Sequence, residues 1–516
     1  LQTTLLMLAL CTAVFLAALD TVILTTALPT ITASLHTSTS GAAWIGSSFM
    51  LANASSVPFW GSASDIFGRK PLLLLANSIF MAGSIISALA GNLAVLLAGR
   101  SIQGIGAGGI TVLVNIIVSD IFVMRTRSLM LTLVGSVWFF AATIGPVIGG
   151  TFAERVGWRW CFWVNAPFNI TSLILLTHLL RLHTPHTSLL KGLALLDWPG
   201  FLTLPTGTTL LLLGLEFGGT SSPWSSPLVI SLLFSGALTL ALFLIIESRI
   251  APNPLIPLHL FSSISTISTL LVCAAHAMCY ISVAYFLPYY FQAILSFSPL
   301  FSGLWSLITA FTLLFTTLSC GWYMHSTGRY LELIRFGLAF LVVGFGLFTT
   351  FSSSLSVPRM VIFQIVMSLG LGPLFQAPLV ALQAHLEKKD IATGTATFGF
   401  IRMLSAGISV VVGELIFQSQ MRKRAHLFIS SGILPAIAEK ISSGSSAVGT
   451  VLLQELTPTQ RYIVRAAQSQ SLNSMWTFCI AVAAVGLIAG FGIKGSEMSK
   501  VDEETTGLKI EESRDV

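Results

Sequence analysis

Two side chains of opposite charge, Asp20 and Arg100, stand inside long apolar segments of the sequence. Asp20 lies nine residues before Pro29, and Arg100 lies nine residues after Gly91. If both segments are helices with a rise of 1.5 Å per residue, both charges lie about 13 Å from the same membrane surface. Protonation of Asp20 would leave Arg100 without its counter-ion, which could couple proton binding to a helix rearrangement. A fixed structural ion pair is the alternative.

Further polar side chains lie within apolar segments, where most are expected to bond neighbouring helices. Glu414 is a candidate second proton-binding residue, with interhelical bonding as its alternative. His276 either faces a substrate cavity or, as we favour, bonds a backbone carbonyl. The remaining embedded polar residues are Gln103, Asn115 and Gln376, which are weak candidates for a substrate cavity, and Gln292 and Arg402, which we interpret as interhelical contacts.

Motifs for chemistry other than proton exchange are not found in the sequence. It offers no paired carboxylates, histidine cluster or nucleophile motif, so we expect no catalytic and no metal-binding residue. GIGAGG at 104–109 fits the dinucleotide pattern, but it lies within an apolar span and does not open a βαβ unit. We therefore expect no cofactor.

Composition places these residues in a membrane. The 516 residues are 54% hydrophobic and 9% charged, with a mean hydropathy of +0.86, whereas about a quarter of the residues of a soluble chain are charged. Runs of about 20 apolar residues cross a bilayer as helices, because lipid offers backbone groups no other partner. We predict an all-α membrane protein with fourteen transmembrane helices. They begin near Leu5, Gly41, Pro71, Leu93, Leu129, Phe162, Pro199, Pro227, Ile264, Gly303, Leu331, Met360, Thr393 and Ser474.

Basic residues of the short loops predict the orientation of these helices. Eleven alternate onto one side of the membrane and three onto the other, which places both termini in the cytoplasm. The net charge of +6 follows mainly from these loops, and we expect no nucleic-acid partner. A plasma-membrane location is favoured, with the vacuolar membrane as the alternative. The eleven are Arg69, Lys70, Arg125, Arg127, Arg181, Lys191, Arg249, Arg329, Arg335, Lys388 and Lys389.

A repeat with an offset of 260 residues predicts the domain organisation. GSASDIFGR at 61–69 and GWYMHSTGR at 321–329 share Gly, Gly and Arg at the same spacing. Two six-helix bundles of the same orientation, with two spans inserted between them, fit this pattern. The predicted domains are an N-terminal bundle at 1–182, a linker with two spans at 183–260, a C-terminal bundle at 261–494 whose outer loop at 418–473 forms short surface helices, and an acidic cytoplasmic tail at 495–516.

The repeated loop motif has residue types that suit gating. Its first copy holds Gly61, Asp65, Gly68, Arg69 and Lys70, and its second copy holds Gly321, Gly328 and Arg329. A basic anchor with turn glycines explains much of this pattern. Asp65, however, adds a negative charge where topology favours positive ones, and His325 replaces it in the second copy.

The segment AATIGPVIGGTF at 141–152 places proline and glycine inside the predicted fifth span. Pro146 removes one backbone hydrogen bond and is expected to kink the helix. Gly145, Gly149 and Gly150 would let a neighbouring backbone approach closely. A kink that serves packing alone is the alternative.

Together these motifs resemble the fourteen-span drug:proton antiporters of the major facilitator superfamily, above all fungal secondary-metabolite and trichothecene-type efflux pumps. The resemblance implies the major facilitator fold, a role for Asp20 and Arg100 in proton coupling, and a latch between the bundles at the repeated loop motif. It also implies that the fifth-span motif is typical of exporters and seals a bundle interface, although Ala141 replaces the family's upstream glycine. The segments that carry it are LDTVILTTALPTI (19–31), GSASDIFGRKP (61–71), LLAGRSIQGIGAGG (96–109), GPVIGG (145–150) and WRWCFWVNAP (158–167).

The expected function is export of a small, largely apolar compound, such as a toxin, drug or secondary metabolite, in exchange for protons by alternating access. Proton-coupled uptake, for example of a siderophore, is the alternative. The expected partners are this substrate, protons and the lipid bilayer, and we expect the protein to act as a monomer. A membrane enzyme is disfavoured.

Overall fold

The computed structural model describes residues 2–35, 39–182, 188–220, 222–251, 253–352, 356–443 and 456–496. In these ranges the regular elements are helices, in two halves joined by a linker. The first half comprises α1 (Gln2–Val22), α2 (Leu24–Ser34), α3 (Thr39–Phe67), α4 (Arg69–Ala88), α5 (Leu93–Ile121), α6 (Met124–Arg155), α7 (Trp160–Trp163) and α8 (Asn165–Leu179).

The linker and the second half continue the same helical architecture. The linker comprises α9 (Leu189–Leu195), α10 (Trp198–Thr220), α11 (Pro227–Arg249) and a 3₁₀ turn at Leu258–Ser262. The second half comprises α12 (Ile264–Tyr289), α13 (Pro299–Thr327), α14 (Leu331–Phe348), α15 (Val357–Leu371), α16 (Ala377–Ala384), α17 (Ile391–Lys423), α18 (Ala425–Ser430), α19 (Pro435–Ser443) and α20 (Pro458–Phe491).

The fourteen predicted spans have counterparts in the described residues. Thirteen helical segments are long and apolar enough to cross a membrane, and α3, with 29 residues, is the fourteenth. α3 is not among the thirteen, and it carries seven serines. Some of these bond carbonyls of the same helix, as Ser55 Oγ does to Leu51 O at 2.6 Å. Such bonds let a polar helix lie among apolar neighbours.

The internal repeat is visible in the helix boundaries. α3 begins at Thr39 and ends at Phe67, and α13 begins at Pro299 and ends at Thr327. Both ends are separated by 260 residues, the offset predicted from the loop motifs. The helix that follows each loop, α4 or α14, begins within two residues of its motif arginine.

The last helix begins earlier than hydropathy predicts: the span was predicted to start near Ser474, whereas α20 begins at Pro458, sixteen residues before it. Its first four turns are polar, so hydropathy does not detect them. A capping box marks the true start: Thr457 Oγ1 accepts from Gln460 N at 3.5 Å, and Gln460 Oε1 accepts from Thr457 N at 3.1 Å. The short helices expected in the outer loop correspond to α18 and α19, whose placement on a membrane surface stays a prediction. Residues 444–455 of that loop, and 497–516 of the acidic tail, lie outside the described residues.

The two halves meet along two helix pairs, α3 with α17 and α6 with α13. The linker helix α10 packs on both α3 and α17. Leu212 of α10 reaches Gly407 of α17, and the Phe217 ring lies 5.8 Å from that of Trp44 in α3. We call the end of the halves that carries Arg69, Arg125 and Arg329 the basic end.

Candidate functional site

Asp20 and Arg100 form an ion pair in the interior of the first half. Asp20 lies near the end of α1 and Arg100 in α5, and the two residues are 0% and 1% exposed. Arg100 Nη1 donates to Asp20 Oδ2. The equal depth inferred from the sequence therefore corresponds to direct contact. Because both groups are buried, removal of either charge would leave the other without compensation.

Three further polar side chains complete the network around Asp20. Gln103 Nε2 and Asn165 Nδ2 each donate to Asp20 Oδ1 at 3.1 Å. Both amides also donate to Ser84 Oγ, at 2.6 Å from Gln103 and 3.1 Å from Asn165. The Asp20 carboxylate thus accepts two hydrogen bonds from side chains of α5 and one from α8. Ser84 of α4 is the acceptor that the two amides share. Gln103, which we had considered for a substrate cavity, lies buried in this network.

Arg100 is held by backbone and aromatic contacts as well as by its carboxylate. Its Nε donates to Ile45 O of α3 at 3.1 Å. The guanidinium carbon lies 4.3 Å from the centre of the Phe49 ring, in cation–π geometry. A protonation event at Asp20 would therefore act on a cation that bonds α1, α3 and α5 together.

The glycines of the fifth-span motif face the junction between α1 and α2, within the same half. A Cβ on Gly149 would overlap the carbonyl oxygen of Ile23, and one on Gly145 would lie 3.5 Å from Ile23 N. Thr26 Oγ1 donates to Pro146 O at 3.0 Å. Gly150 has more room, with the nearest atoms of Thr26 at 3.9 Å from a Cβ. The close backbone approach is thus made immediately after the helix that carries Asp20. Pro146 lies inside α6, which is assigned as continuous, and its kink stays a prediction.

At the basic end, the first loop motif connects four helices of its own half. Arg69 Nη1 contacts Asp65 Oδ1 at 2.6 Å, and Arg69 Nε contacts Asp120 Oδ2 of α5 at 3.0 Å. Lys70 Nζ donates to Thr177 O of α8 at 2.6 Å. Gly68, with φ of 91°, makes the turn between α3 and α4. These contacts hold the ends of α3, α4, α5 and α8 as one unit.

Contacts between the halves lie beside this motif. A Cβ on Gly61 of α3 would overlap the Ala396 methyl of α17, and one on Gly321 of α13 would lie 2.6 Å from Thr132 Cβ of α6. Small residues thus allow close helix crossing between the halves.

The second loop motif receives an arginine from the first half. Arg125 Nη1 donates to Ser326 O at 3.1 Å, and its Nη2 donates to Thr327 O at 3.4 Å, at the carboxyl end of α13. His325, which replaces the aspartate, bonds the Arg125 carbonyl at 3.2 Å through Nδ1. A cation at a helix carboxyl end is favourable because unpaired carbonyls point there. Arg329 instead pairs with Glu332 at 3.2 Å, where both side chains are more than half exposed.

The other candidates lie further along the helices. His276 lies in the second half next to Phe375, with 4.7 Å between the two ring centres, and Gln376 follows Phe375 in the chain. Phe375 also contacts Phe139 of α6 at 4.7 Å between ring centres, across the two halves. Asn115 lies partly exposed in α5, and Glu414 is buried in α17, where it accepts from Gln418 Nε2 at 3.4 Å.

Sequence reasoning missed four residues of these sites: Ser84, Asn165, Asp120 and Arg125 had no assigned role. Asn165 stands in the quoted segment WRWCFWVNAP, and Arg125 counted only toward orientation. Serine and asparagine are common in membrane helices, so neither spacing nor type singles them out.

Comparison with known proteins gives a consistent result. The sequence model of the Major Facilitator Superfamily matches residues 10–410. "Efflux pump dotC" of Dothistroma septosporum is 40% identical over 506 residues, which cover 98% of this chain and 87% of that protein. "MFS-type transporter ppz2" of Metarhizium majus is 39% identical over 513 residues, with 99% and 88% covered. The crystal structure of the human organic anion transporter MFSD10 has a TM-score of 0.59 at 16% identity, with 95% and 99% covered, and shows a likeness of fold alone.

Proposed function

The chain belongs to the major facilitator superfamily, and on that premise we propose that it exports a small, largely apolar compound across a membrane in exchange for protons. The observation that carries the proton coupling is the buried contact between Asp20 and Arg100. The relatives named as efflux pumps support the direction of transport. The same names weigh against the uptake alternative.

Asp20 is the proton-binding group of this proposal. In its charged form it is satisfied by Arg100, Gln103 and Asn165 together. When it binds a proton, Arg100 loses its counter-ion inside a site of low dielectric, and the contacts among α1, α5 and α8 must rearrange. Glu414 is the candidate for a second proton in the other half.

The energy available from one proton is adequate for this task. A membrane potential of about 100 mV contributes roughly 2.3 kcal/mol per charge, and one pH unit contributes about 1.4 kcal/mol. Together they sustain a gradient on the order of hundreds-fold for a neutral substrate.

Alternating access requires contacts between the halves that can open at one end. We assign the closed contacts to the basic end, where Gly61 meets Ala396 and Arg125 caps α13. The Arg69 contacts keep the first half rigid while these seams separate. The packing of α6 on the junction of α1 and α2 transmits movement at Asp20 to the helix that contacts the second half. On this proposal one chain suffices for transport.

Two experiments test the proposal. Inside-out vesicles energised with a proton gradient should accumulate the substrate, whereas accumulation only in right-side-out vesicles would establish uptake instead. In proteoliposomes, substrate addition should trigger proton movement by the wild type and not by Asp20→Asn. Glu154→Gln, which neutralises an exposed carboxylate near the other end of α6, is the matched control. Equal proton movement in Asp20→Asn would contradict the assignment of the proton site.

A further inference from the structure

Arg402 of α17 is a cation within a membrane helix of the second half. It is partly exposed, and its Nη2 donates to Phe375 O at 2.6 Å. The guanidinium carbon lies 5.0 Å from the Phe398 ring centre and 5.8 Å from that of Phe375. Its Nε makes no hydrogen bond among the described residues. These contacts are a carbonyl and two aromatic faces, and the neutral thiol of Cys273 lies within hydrogen-bond reach as well. None of these groups carries a full negative charge.

In the part of the chain that the structure describes, Arg402 forms no ion pair. The acidic residues nearest to it along α17 are Asp390 and Glu414, each twelve residues away. At 1.5 Å per residue both lie about 18 Å along the helix axis, beyond the reach of the side chains. The first half balances its buried arginine with Asp20, whereas the second half leaves Arg402 unbalanced. A charge held in a membrane span without a counter-ion points to a ligand that supplies one.

Two neighbouring side chains also have polar atoms without partners. His276 is 1% exposed and lies beside the Leu371 carbonyl, yet neither ring nitrogen makes a hydrogen bond of normal geometry. Gln376 is 6% exposed, and its Oε1 accepts no hydrogen bond among the described residues. Buried polar atoms are nearly always bonded in folded proteins, so these atoms have bonding capacity that a ligand could use. Both stand next to Phe375, the residue whose carbonyl holds Arg402.

The break in the twelfth span creates this arrangement. α15 ends at Leu371, a 3₁₀ turn runs from Gly372 to Phe375, and α16 begins at Ala377. Pro373 lies within the turn and Pro378 is the second residue of α16. Proline disrupts regular helical bonding at such positions. The Phe375 carbonyl therefore accepts from a side chain of another helix.

An aromatic frame centred on Phe375 lies beside the cation. The Phe375 ring lies 4.7 Å from Phe139, 4.7 Å from His276 and 4.9 Å from Tyr280, all in edge-to-face geometry. Phe139 belongs to the first half, so the frame bridges the two halves. Such a frame suits a flat ring system, whose faces and edges find complementary partners. We call Phe139, His276, Tyr280, Phe375, Gln376 and Arg402 the Arg402 centre.

We propose that the Arg402 centre binds the acidic group of an aromatic weak acid, as a carboxylate, phenolate or enolate, with its rings against Phe139, Tyr280 and Phe375. This inference rests on the proposed export function and names its substrate class. Arg402 neutralises the anion through its planar guanidinium, which matches a carboxylate in shape. His276 offers a ring N–H to the same group, and Gln376 reaches toward α6 beside Gly135.

The test uses two probes of nearly the same shape, the anion naphthoate and the neutral naphthamide, with the full chain in lipid nanodiscs and affinity measured by calorimetry. The wild type should bind naphthoate about 10- to 100-fold more tightly, the range expected for hydrogen bonds to a charged group. Arg402→Gln should reduce this preference to about twofold or less. Arg402→Lys should keep part of it, because it keeps the charge but not the planar fork. Arg359→Gln removes an exposed arginine from the same half and should keep all of it.

Equal binding of the two probes by the wild type would overturn the proposal, as would an undiminished preference in Arg402→Gln. The latter result would mean that Arg402 only caps the 3₁₀ turn at Gly372–Phe375. Should Arg402→Gln fail to fold, Arg402→Met removes the same charge with an unbranched apolar chain suited to the membrane. Proton-driven export combined with indifference to probe charge would refute the anion site and leave the export function standing. Charge-selective binding without proton-driven export would support the anion site and refute the proposed export function.

Discussion

Substitution of single glycines in the fifth-span motif tests whether the motif acts through the close packing of α6. Gly149→Ala places a methyl group against the Ile23 carbonyl oxygen, which belongs to the backbone and cannot rotate away. The same methyl would also lie 2.8 Å from Thr26 Oγ1. Gly150→Ala makes the same chemical change one residue later, where the nearest atoms are 3.9 Å away. The two variants form a matched pair.

The two substitutions should change the free energy of unfolding in opposite directions. Overpacking of a tight contact costs about 1–3 kcal/mol, and Gly149→Ala should show this cost because two backbones must separate. Gly150→Ala meets no such contact and gains helix propensity of about 1 kcal/mol or less. Gly149→Ala should also impair transport, because Ile23 lies three residues after Asp20 and its displacement moves the carboxylate relative to Arg100.

The assay combines thermal unfolding in detergent with substrate-triggered proton movement in proteoliposomes. Gly149→Ala should unfold at lower temperature and lose most of the proton movement. Gly150→Ala should unfold at or slightly above the wild-type temperature and keep the wild-type proton movement. Equal damage by the two substitutions would mean that the glycines serve backbone flexibility and not close approach. Full tolerance of Gly149→Ala would show that α6 does not pack on the junction of α1 and α2 in the membrane.

Three further outcomes follow from the contacts described. Asp20→Asn should fold and bind substrate, yet equilibrate it across the membrane without concentrating it, as measured by the final substrate ratio in energised vesicles. Arg69→Gln should lower thermal stability by about 1–2 kcal/mol because it breaks contacts to two carboxylates in a network, whereas Arg329→Gln, at an exposed pair, should change it by about 0.5 kcal/mol or less. Arg125→Gln removes two hydrogen bonds to the carboxyl end of α13, each contributing about 1 kcal/mol. The two halves should then separate more often at the basic end, so a cysteine placed at position 396, opposite Gly61, should be labelled several-fold faster.

The sequence was sufficient for the architecture and for the central ion pair, for a physical reason. Hydropathy and helical rise depend only on local composition, and a buried charge is rare enough in lipid to be noticed singly. Asp20 and Arg100 were therefore paired by depth alone. Their partners Ser84 and Asn165 were not found, because each is an ordinary polar residue on a separate helix, and only folding brings them to one point.

The same limit explains why Arg402 was interpreted as an interhelical contact. Its distinction is the absence of a counter-ion in the described part of the second half, which requires the positions of all surrounding helices. The start of α20 is a different case. There the signal, Thr457 followed by Pro458 and Gln460, was present in the sequence, but hydropathy gives no weight to the polar turns of a helix that extends beyond the membrane.

The charges of Asp20, Arg100 and Arg402 determine how the membrane potential acts on the proposed cycle. With Asp20 charged and an anion at Arg402, the charges of the two arginines are balanced by those of Asp20 and the substrate. The loaded step toward the outside therefore moves no net charge. With Asp20 protonated and the Arg402 centre empty, they sum to +2, so the return step carries two positive charges toward the negative side. A potential of about 100 mV then contributes roughly 4.6 kcal/mol per cycle, twice its value for a neutral substrate. Export of an aromatic acid should consequently rise more steeply with potential than export of its amide, and the potential should act on the return of the protonated carrier.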